Sequence, residues 1–358
     1  MHRKLREVGH VGNVLLSPFF VASSLVMVLR GACGNTHDQV ARALHMDWDP
    51  SSTAVRFEQL ASELFRDFER AKLRCLGLTL TCFTALFFDE SVPLHRDYYR
   101  MQDTMGFFMD RRDFRNNGPQ CRLSMDAMAR AVSSFSLPRE QVFPPGSVNH
   151  ETRLVLLSSL RLEGRWKSRF AVSRQSFLSA AADKTGGFSR PHHPAGVPTM
   201  HCTAPFRMAD CAELEATMVE LPYENPSNAM IILLPTGPGG LATLEEKLST
   251  PLVLRAIDRL REAGDVELSL PKFRIRQVTN LTELLPLLGV IDAFTDEARL
   301  DCLTPAAGVR LSDIRHVATL HVSEAGGRPP SSNDSREAGT SPAKRKVVAV
   351  DRPFMFLV

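Results

Sequence analysis

The stretch from Val322 to Val350, VSEAGGRPPSSNDSREAGTSPAKRKVVAV, constrains the fold more than any other part of this chain. It is polar, rich in Gly, Pro and Ser, and framed by two apolar strand-like runs, Val317-Ala-Thr-Leu-His-Val322 and Phe354-Met-Phe-Leu-Val358. A structureless connection of this length inside a compact protein is uncommon, and such loops are either functional or disordered. Both readings are open from the stretch alone. In either one, the scaffold must hold two strands while the connection between them stays outside.

The remainder can supply that scaffold. With 358 residues, 44% of them hydrophobic and 23% charged, the chain can bury a sizeable core as a soluble globular protein. Lys and Arg number 43 against 40 Asp and Glu, a net charge of +3, so no whole-molecule attraction to nucleic acid or membrane follows. The start, Met1-His-Arg-Lys-Leu-Arg6, is basic, but Glu7 to Asn13 is no apolar segment, so no signal peptide is expected. No apolar run approaches the roughly 20 residues of a membrane helix.

The cysteines, Cys33, Cys75, Cys82, Cys121, Cys202, Cys211 and Cys302, are odd in number and none is spaced as CxxC, which argues against zinc and redox motifs. His192-His193 and His201-Cys202 are the nearest thing to metal ligands. A site needs three or four convergent ligands, so no metal and no cofactor is expected. Asn280-Leu-Thr282 and Asn333-Asp-Ser335 are glycosylation sequons, which matter only in a secretory compartment.

Along the chain, Ser17-Pro18 leads into an apolar helix, Phe19 to Leu29, that reads as buried on all sides. Thr36-His-Asp-Gln39 has the form of a capping box opening a helix to about Met46. A third helix, Ala54 to Lys72, ends in a basic group, Arg66, Arg70, Lys72 and Arg74. Leu76 to Phe88 reads as a buried strand. Helices are expected near Arg96 to Met109 and Leu123 to Phe135, with Pro144-Pro-Gly146 closing that block. From Thr152 strands dominate, at Arg153 to Leu157, Phe206 to Met208, Glu215 to Leu221, Ala229 to Leu234 and Val266 to Leu270. A Gly/Pro/His loop, Gly187 to Pro198, and a helical run, Leu244 to Glu262, interrupt them. Helices early and strands late predict an α+β fold.

Several motifs occur in one fixed order: Asn13-Val-Leu-Leu-Ser-Pro18, Phe143-Pro-Pro-Gly-Ser-Val148, Thr152-Arg-Leu-Val-Leu156, and Gly164-Arg-Trp166 with Phe170. Val197-Pro-Thr-Met200, Glu220-Leu-Pro-Tyr223, Met230 to Pro235, Leu270-Pro-Lys-Phe273 and Leu288 to Phe294 complete the series. On these the chain resembles a serpin over nearly its whole length. The resemblance implies a single serpin domain over residues 1–358, with three β-sheets, about nine helices and an exposed reactive loop at about 323–350. It also implies inhibition of a serine endopeptidase by covalent trapping with loop insertion, no catalytic residue of its own, a monomer, and an extracellular location, with a cytoplasmic one as the alternative.

By matching position, Ser17 and His316 fall in a polar cluster beneath the opening sheet, and Trp166 at the end of that sheet where the loop enters. Phe20 and Ser158 depart from the family's usual small hydroxyl residue and Asn, which is expected to weaken the cluster. Glu324, Gly326 and Gly327 match the loop hinge. Counting from Gly326 puts the scissile bond at Thr340-Ser341, whereas Arg336, Lys344, Arg345 or Lys346 would suit a trypsin-like enzyme, whose primary pocket carries a carboxylate.

Insertion requires the hinge to act as a central strand, and Pro329-Pro330 cannot donate to a ladder. With Gly327 facing inward, Asn333 and Glu337 face inward too, at a desolvation cost of several kcal/mol. A non-inhibitory binding or carrier serpin is therefore the alternative. Glycosaminoglycan binding through Arg66, Arg70, Lys72 and Arg74 is a further one. Compared with the family, the first helix is short and the final strand or strands after Val358 are missing.

Overall fold

The computed structural model describes residues 1–10, 12–46, 77–100, 102, 107–133, 141–175, 197–237, 240–325 and 345–358. Among them are eight α-helices: α1 (His2–Glu7), α2 (Pro18–Gly31), α3 (Gly34–Ala43), α4 (Arg96–Tyr99), α5 (Phe114–Ser133), α6 (Gly240–Lys247), α7 (Thr250–Asp258) and α8 (Leu281–Leu284). The strands are β1 (Leu78–Asp89), β2 (Phe108–Arg112), β3 (Leu154–Gly164), β4 (Ala171–Gln175), β5 (Val197–Cys211), β6 (Ala216–Pro222), β7 (Ala229–Pro235), β8 (Arg261–Pro271), β9 (Phe273–Asn280), β10 (Leu311–Val322), β11 (Lys346–Ala349) and β12 (Met355–Leu357). They form a five-stranded sheet of order β2-β1-β3-β10-β9 and a seven-stranded sheet of order β11-β8-β5-β6-β7-β12, with β4 on β5. The chain divides into two compact units, residues 1–70, 80–162 and 275–320 in one and 71–79, 163–274 and 321–358 in the other.

In the first unit, the five-stranded sheet packs against apolar side chains on both faces, so the segments Ala85–Phe88 of β1 and Leu154–Leu157 of β3 are apolar at consecutive positions rather than at alternate ones. Leu86, Phe88, Leu154 and Leu156 point into one core with Val21, Leu25 and Val28 of α2. Their neighbours Ala85, Phe87, Val155 and Leu157 point the other way, against Phe114, Cys121, Met125 and Ala129 of α5. The α2 helix is buried almost all round because it lies inside that first core.

β3 and β10 are sheet neighbours, and four links fix their relative direction. Arg153 N–H donates to Ser312 Oγ, Ser158 meets His316, Glu163 meets His321 and Trp166 Nε1–H donates to the Ser323 carbonyl. The separations along the chain, 159, 158, 158 and 157 residues, are nearly constant, as only parallel strands allow.

In the second unit, β5 is long enough to pair with β4 and β8 along its first half and with β6 and β8 along its second, across a bulge between Pro205 and Arg207. That continuity merges strands that shorter elements would split between separate sheets. Met218 and Leu233 of this sheet pack under Leu244 of α6 and Ala256 of α7.

The structure corrects several sequence expectations. α3 starts at Gly34 and no side chain caps it. The box residues bond elsewhere: Thr36 Oγ1 accepts from Arg299 N–H (3.0 Å), and Gln39 Oε1 accepts from the N–H groups of Ile291 and Asp292 (2.8 and 2.9 Å). Of the helix expected over Arg96 to Met109, Arg96–Tyr99 forms α4, whereas Phe108–Arg112 is strand β2, with Phe108 exposed and Met109 buried on its opposite faces. The helix expected from Leu123 begins at Phe114 and breaks its geometry at Asn117, so that Pro119 falls at the start of a fresh helical stretch, where its missing N–H is harmless. Gly118 permits the close approach there, since a Cβ would lie 2.8 Å from the Val148 carbonyl oxygen. The run from Leu244 to Glu262 is two helices separated at Leu248-Ser249, with Pro251 in the first turn of the second and Arg261 already in β8. The helix expected over Ala54 to Lys72 lies outside the described residues.

Candidate functional site

Two groups of side chains flank the β3–β10 seam, one beneath it and one where β10 gives way to the long segment. Beneath the seam lies His316, fully buried on β10. Its Nε2 accepts the Ser17 backbone N–H at 3.1 Å, which leaves Nδ1–H to donate to Ser158 Oγ on β3 at 2.8 Å. Burial holds the imidazole in this neutral form, with its pKa lowered to about 4. Ser17 also caps α2, its Oγ accepting from Phe20 N–H at 3.5 Å. Phe20 fills apolar space with Leu160 and Ala318. The Ser158 hydroxyl thus reaches the ring directly across the seam.

At the loop base, Trp166 is 2% exposed and stacks on Tyr223 with ring centroids 4.6 Å apart and planes 10° apart. Phe170 closes the cluster at 5.9 Å. The stack needs Gly164, where a Cβ would lie 2.2 Å from the Tyr223 ring. Trp166 then holds the outgoing chain by two bonds. Its Nε1–H donates to the Ser323 carbonyl at 2.7 Å and its backbone N–H to the Ala325 carbonyl at 3.1 Å. Between those anchors, Glu324 pairs with Lys272 Nζ at 2.5 Å, and the ammonium holds the carboxyl below its usual range. His321 Nδ1 lies 3.2 Å from Glu163 Oε1, a second link from β10 to β3.

The long segment is therefore held at Ser323–Ala325 and re-enters at β11, whose residues Lys346 to Ala349 pair in parallel with Val266 to Ser269. Arg345 is exposed and Lys346 opens the strand. Gly326, Gly327, Arg336, Thr340, Ser341 and Lys344 lie outside the described residues, as do Arg66, Arg70, Lys72 and Arg74. His192 and His193 do too. The ring of His201 is engaged by Ser173 Oγ (2.5 Å) and Ser269 Oγ (2.9 Å), and among the described residues no group of His, Cys, Asp or Glu could hold a metal.

Sequence reasoning singled out Ser17, Trp166, His316 and Glu324 but missed their partners Tyr223, Lys272 and Ser323, and the Glu163–His321 pair. Tyr223 and Lys272 stood inside recognised motifs, Glu220 to Tyr223 and Leu270 to Phe273, yet only the three-dimensional contact gives them a task. A disulfide between Cys33 and Cys302 was also unforeseen, the two residues lying 269 positions apart.

Among the described residues, a five-stranded sheet carries a seam of two parallel strands, and the chain between Ala325 and Arg345 connects the end of β10 to β11. The serpin family, described as serpin (serine protease inhibitor), matches residues 1–358. Ipis-1 of Ixodes persulcatus is 30% identical over 366 residues, covering 100% of this chain and 92% of that relative. Antithrombin-III of Mus musculus is 27% identical, covering 97% of this chain and 73% of its own length. Among solved structures, uncleaved ovalbumin superposes with a TM-score of 0.82 at 22% identity, covering 99% of this chain and 91% of that one. Thyroxine-binding globulin in complex with thyroxine gives 0.78 at 21% identity, covering 99% and 90%. The chain belongs to the serpin family.

Proposed function

We propose that this serpin inhibits serine endopeptidases by covalent trapping. A protease attacks the segment between Ala325 and Arg345, an acyl-enzyme forms, and the freed part of the segment enters the five-stranded sheet between β3 and β10. The observation that carries this reading is the seam. A chain that leaves the end of β10, turns at Ser323–Ala325 and runs back would be antiparallel to both β10 and β3. It would replace one parallel ladder with two antiparallel ones, which are the more stable kind. The serpin is then the target of the chemistry, not an enzyme.

Thr340-Ser341 is the scissile bond by spacing from the hinge; cleavage at Arg336, Lys344, Arg345 or Lys346 would mark a trypsin-like target. The whole chain, 1–358, works as one domain in this mechanism. The Cys33–Cys302 bond supports an extracellular location, since disulfides persist in oxidising compartments.

Pro329-Pro330 favours a second reading, a non-inhibitory serpin that binds or carries a partner. Each proline would remove a donor from the ladders that drive insertion. One experiment separates the two. Incubation with a panel of trypsin-like and chymotrypsin-like enzymes gives an SDS-stable complex with at least one of them if the protein traps. Clean cleavage by all of them, with the enzymes left active, would overturn trapping and leave the binding role.

A further inference from the structure

We propose that Asn280 carries an N-linked glycan, attached while the chain is being made and before β10 folds against the sequon. Asn280-Leu-Thr282 has Leu rather than Pro at its centre, and the folded structure divides the sequon cleanly. Leu281 is fully buried and anchors the turn from β9 into α8. The two ends of the half-buried Asn280 side chain have separate tasks. Oδ1 accepts from Thr282 N–H at 3.1 Å, capping α8, while Nδ2 donates to the exposed Glu283 carboxylate at 2.6 Å. A glycosylated asparagine keeps its carbonyl oxygen and one N–H. The cap therefore survives modification, and the sugar leaves from the side where Glu283 lies at the surface.

Thr282 sets the timing. Its hydroxyl donates to Asp313 Oδ1 at 2.9 Å and accepts from Ile314 N–H at 3.0 Å, both at the start of β10. An acceptor sequon needs that hydroxyl and an accessible chain, so the folded protein is closed to the transferase. The nascent chain is open until β10, about 30 residues later, has emerged and docked. The co-reactant is an oligosaccharide linked to a polyprenyl diphosphate. The Asn280 Nδ2–C1 bond forms, the C1–O bond breaks, the diphosphate leaves with the electron pair, and the displaced Nδ2 proton passes to a base of the transferase. The Cys33–Cys302 bond belongs to the same oxidising compartment in which such transfer occurs.

The test is secretion of the full chain from eukaryotic cells behind a cleavable secretory leader, followed by an amidase that converts a glycan-bearing Asn to Asp and by peptide mapping that separates Asn280 from Asn333. Asn280 is expected to be modified in most molecules. N280S, which keeps a capping oxygen, sets no second carboxylate beside Glu283 and destroys the sequon, should lose that glycan with a nearly unchanged melting temperature. Unglycosylated protein refolded from bacteria should not be modified by microsomal membranes that modify the nascent chain. Unmodified Asn280 in secreted, disulfide-bonded protein would overturn the proposal, and equal modification of the refolded protein would overturn its timing. Should N280S fail to fold, the mapped mass of the parent decides alone.

Discussion

At His316 a single buried ring links α2, β3 and β10, and the same burial makes stability depend on pH. The folded ring has a pKa of about 4, below the ordinary value of about 6.5 it regains on unfolding. As pH falls through that window the unfolded chain takes up a proton that the folded one excludes, so stability is full above about 6.5 and is lost toward 4. The expected loss is about 3 kcal/mol. Urea titrations at pH 7, 5.5 and 4.5 check it, and H316Q should start lower but fall less over that window. Parallel curves for the two proteins would remove His316 as the cause.

Ser17 and Trp166 were legible from the motifs Asn13 to Pro18 and Gly164 to Trp166, and His316 only by matching position with the family. Their bonding was not. Whether a serine could stand in for a longer amide at Ser158 depends on a 2.8 Å approach that no sequence pattern encodes.

The decisive element is the outgoing end of β10. The Lys272–Glu324 pair is partly exposed and contributes at most about 1 kcal/mol, too little to set the stability of the molecule but enough to bias the loop base. K272A should leave the melting temperature nearly unchanged while amide hydrogen exchange at Ser323 to Ala325 quickens several-fold, and E324Q should do the same. Unchanged exchange in both variants would mean that Trp166 alone holds the segment. Element boundaries show why sequence reading partly failed. Thr36 and Gln39 match a capping box in type and spacing, but long-range backbone donors at Arg299, Ile291 and Asp292 claim their side chains. Local pattern loses to tertiary partners when the partner is a buried N–H that must be satisfied. The long strands fared better, because Ala85 to Phe88 and Leu154 to Leu157 are apolar on both faces and could only be interior.

For the whole molecule, the seam and the prolines make opposite demands. Cleavage of a loop that inserts raises the melting temperature, because ladder bonds and buried area are added. With Pro329 and Pro330 lacking donors, and Asn333 and Glu337 set to face inward if the loop inserts with Gly327 inward, cleavage of this chain is expected to raise it little. Alanine at those four positions should enlarge the rise and favour complex formation. Scanning calorimetry of cleaved and intact protein checks both, and a large rise in the unaltered cleaved chain would show that the prolines do not hinder insertion. The basic group Arg66, Arg70, Lys72 and Arg74 belongs to this scale as well. If it binds a glycosaminoglycan, retention on heparin falls with salt and drops when the four are replaced; equal retention of the replaced protein would end that idea. The α+β class was legible from helices early and strands late, and the family from motif order.

Seen as a thread, the protein is a closed loop with two free tails. The Cys33–Cys302 bond ties the chain into a ring that contains β1 to β9, while β10, the presented segment, β11 and β12 hang outside it. A pull on the two termini can therefore pay out only residues 1–32 and 303–358, about 300 Å of extended chain against about 1,200 Å for an unbridged one. Force applied at either end would strip α1 and α2 or β10 to β12, while β1 to β9 stay inside the ring.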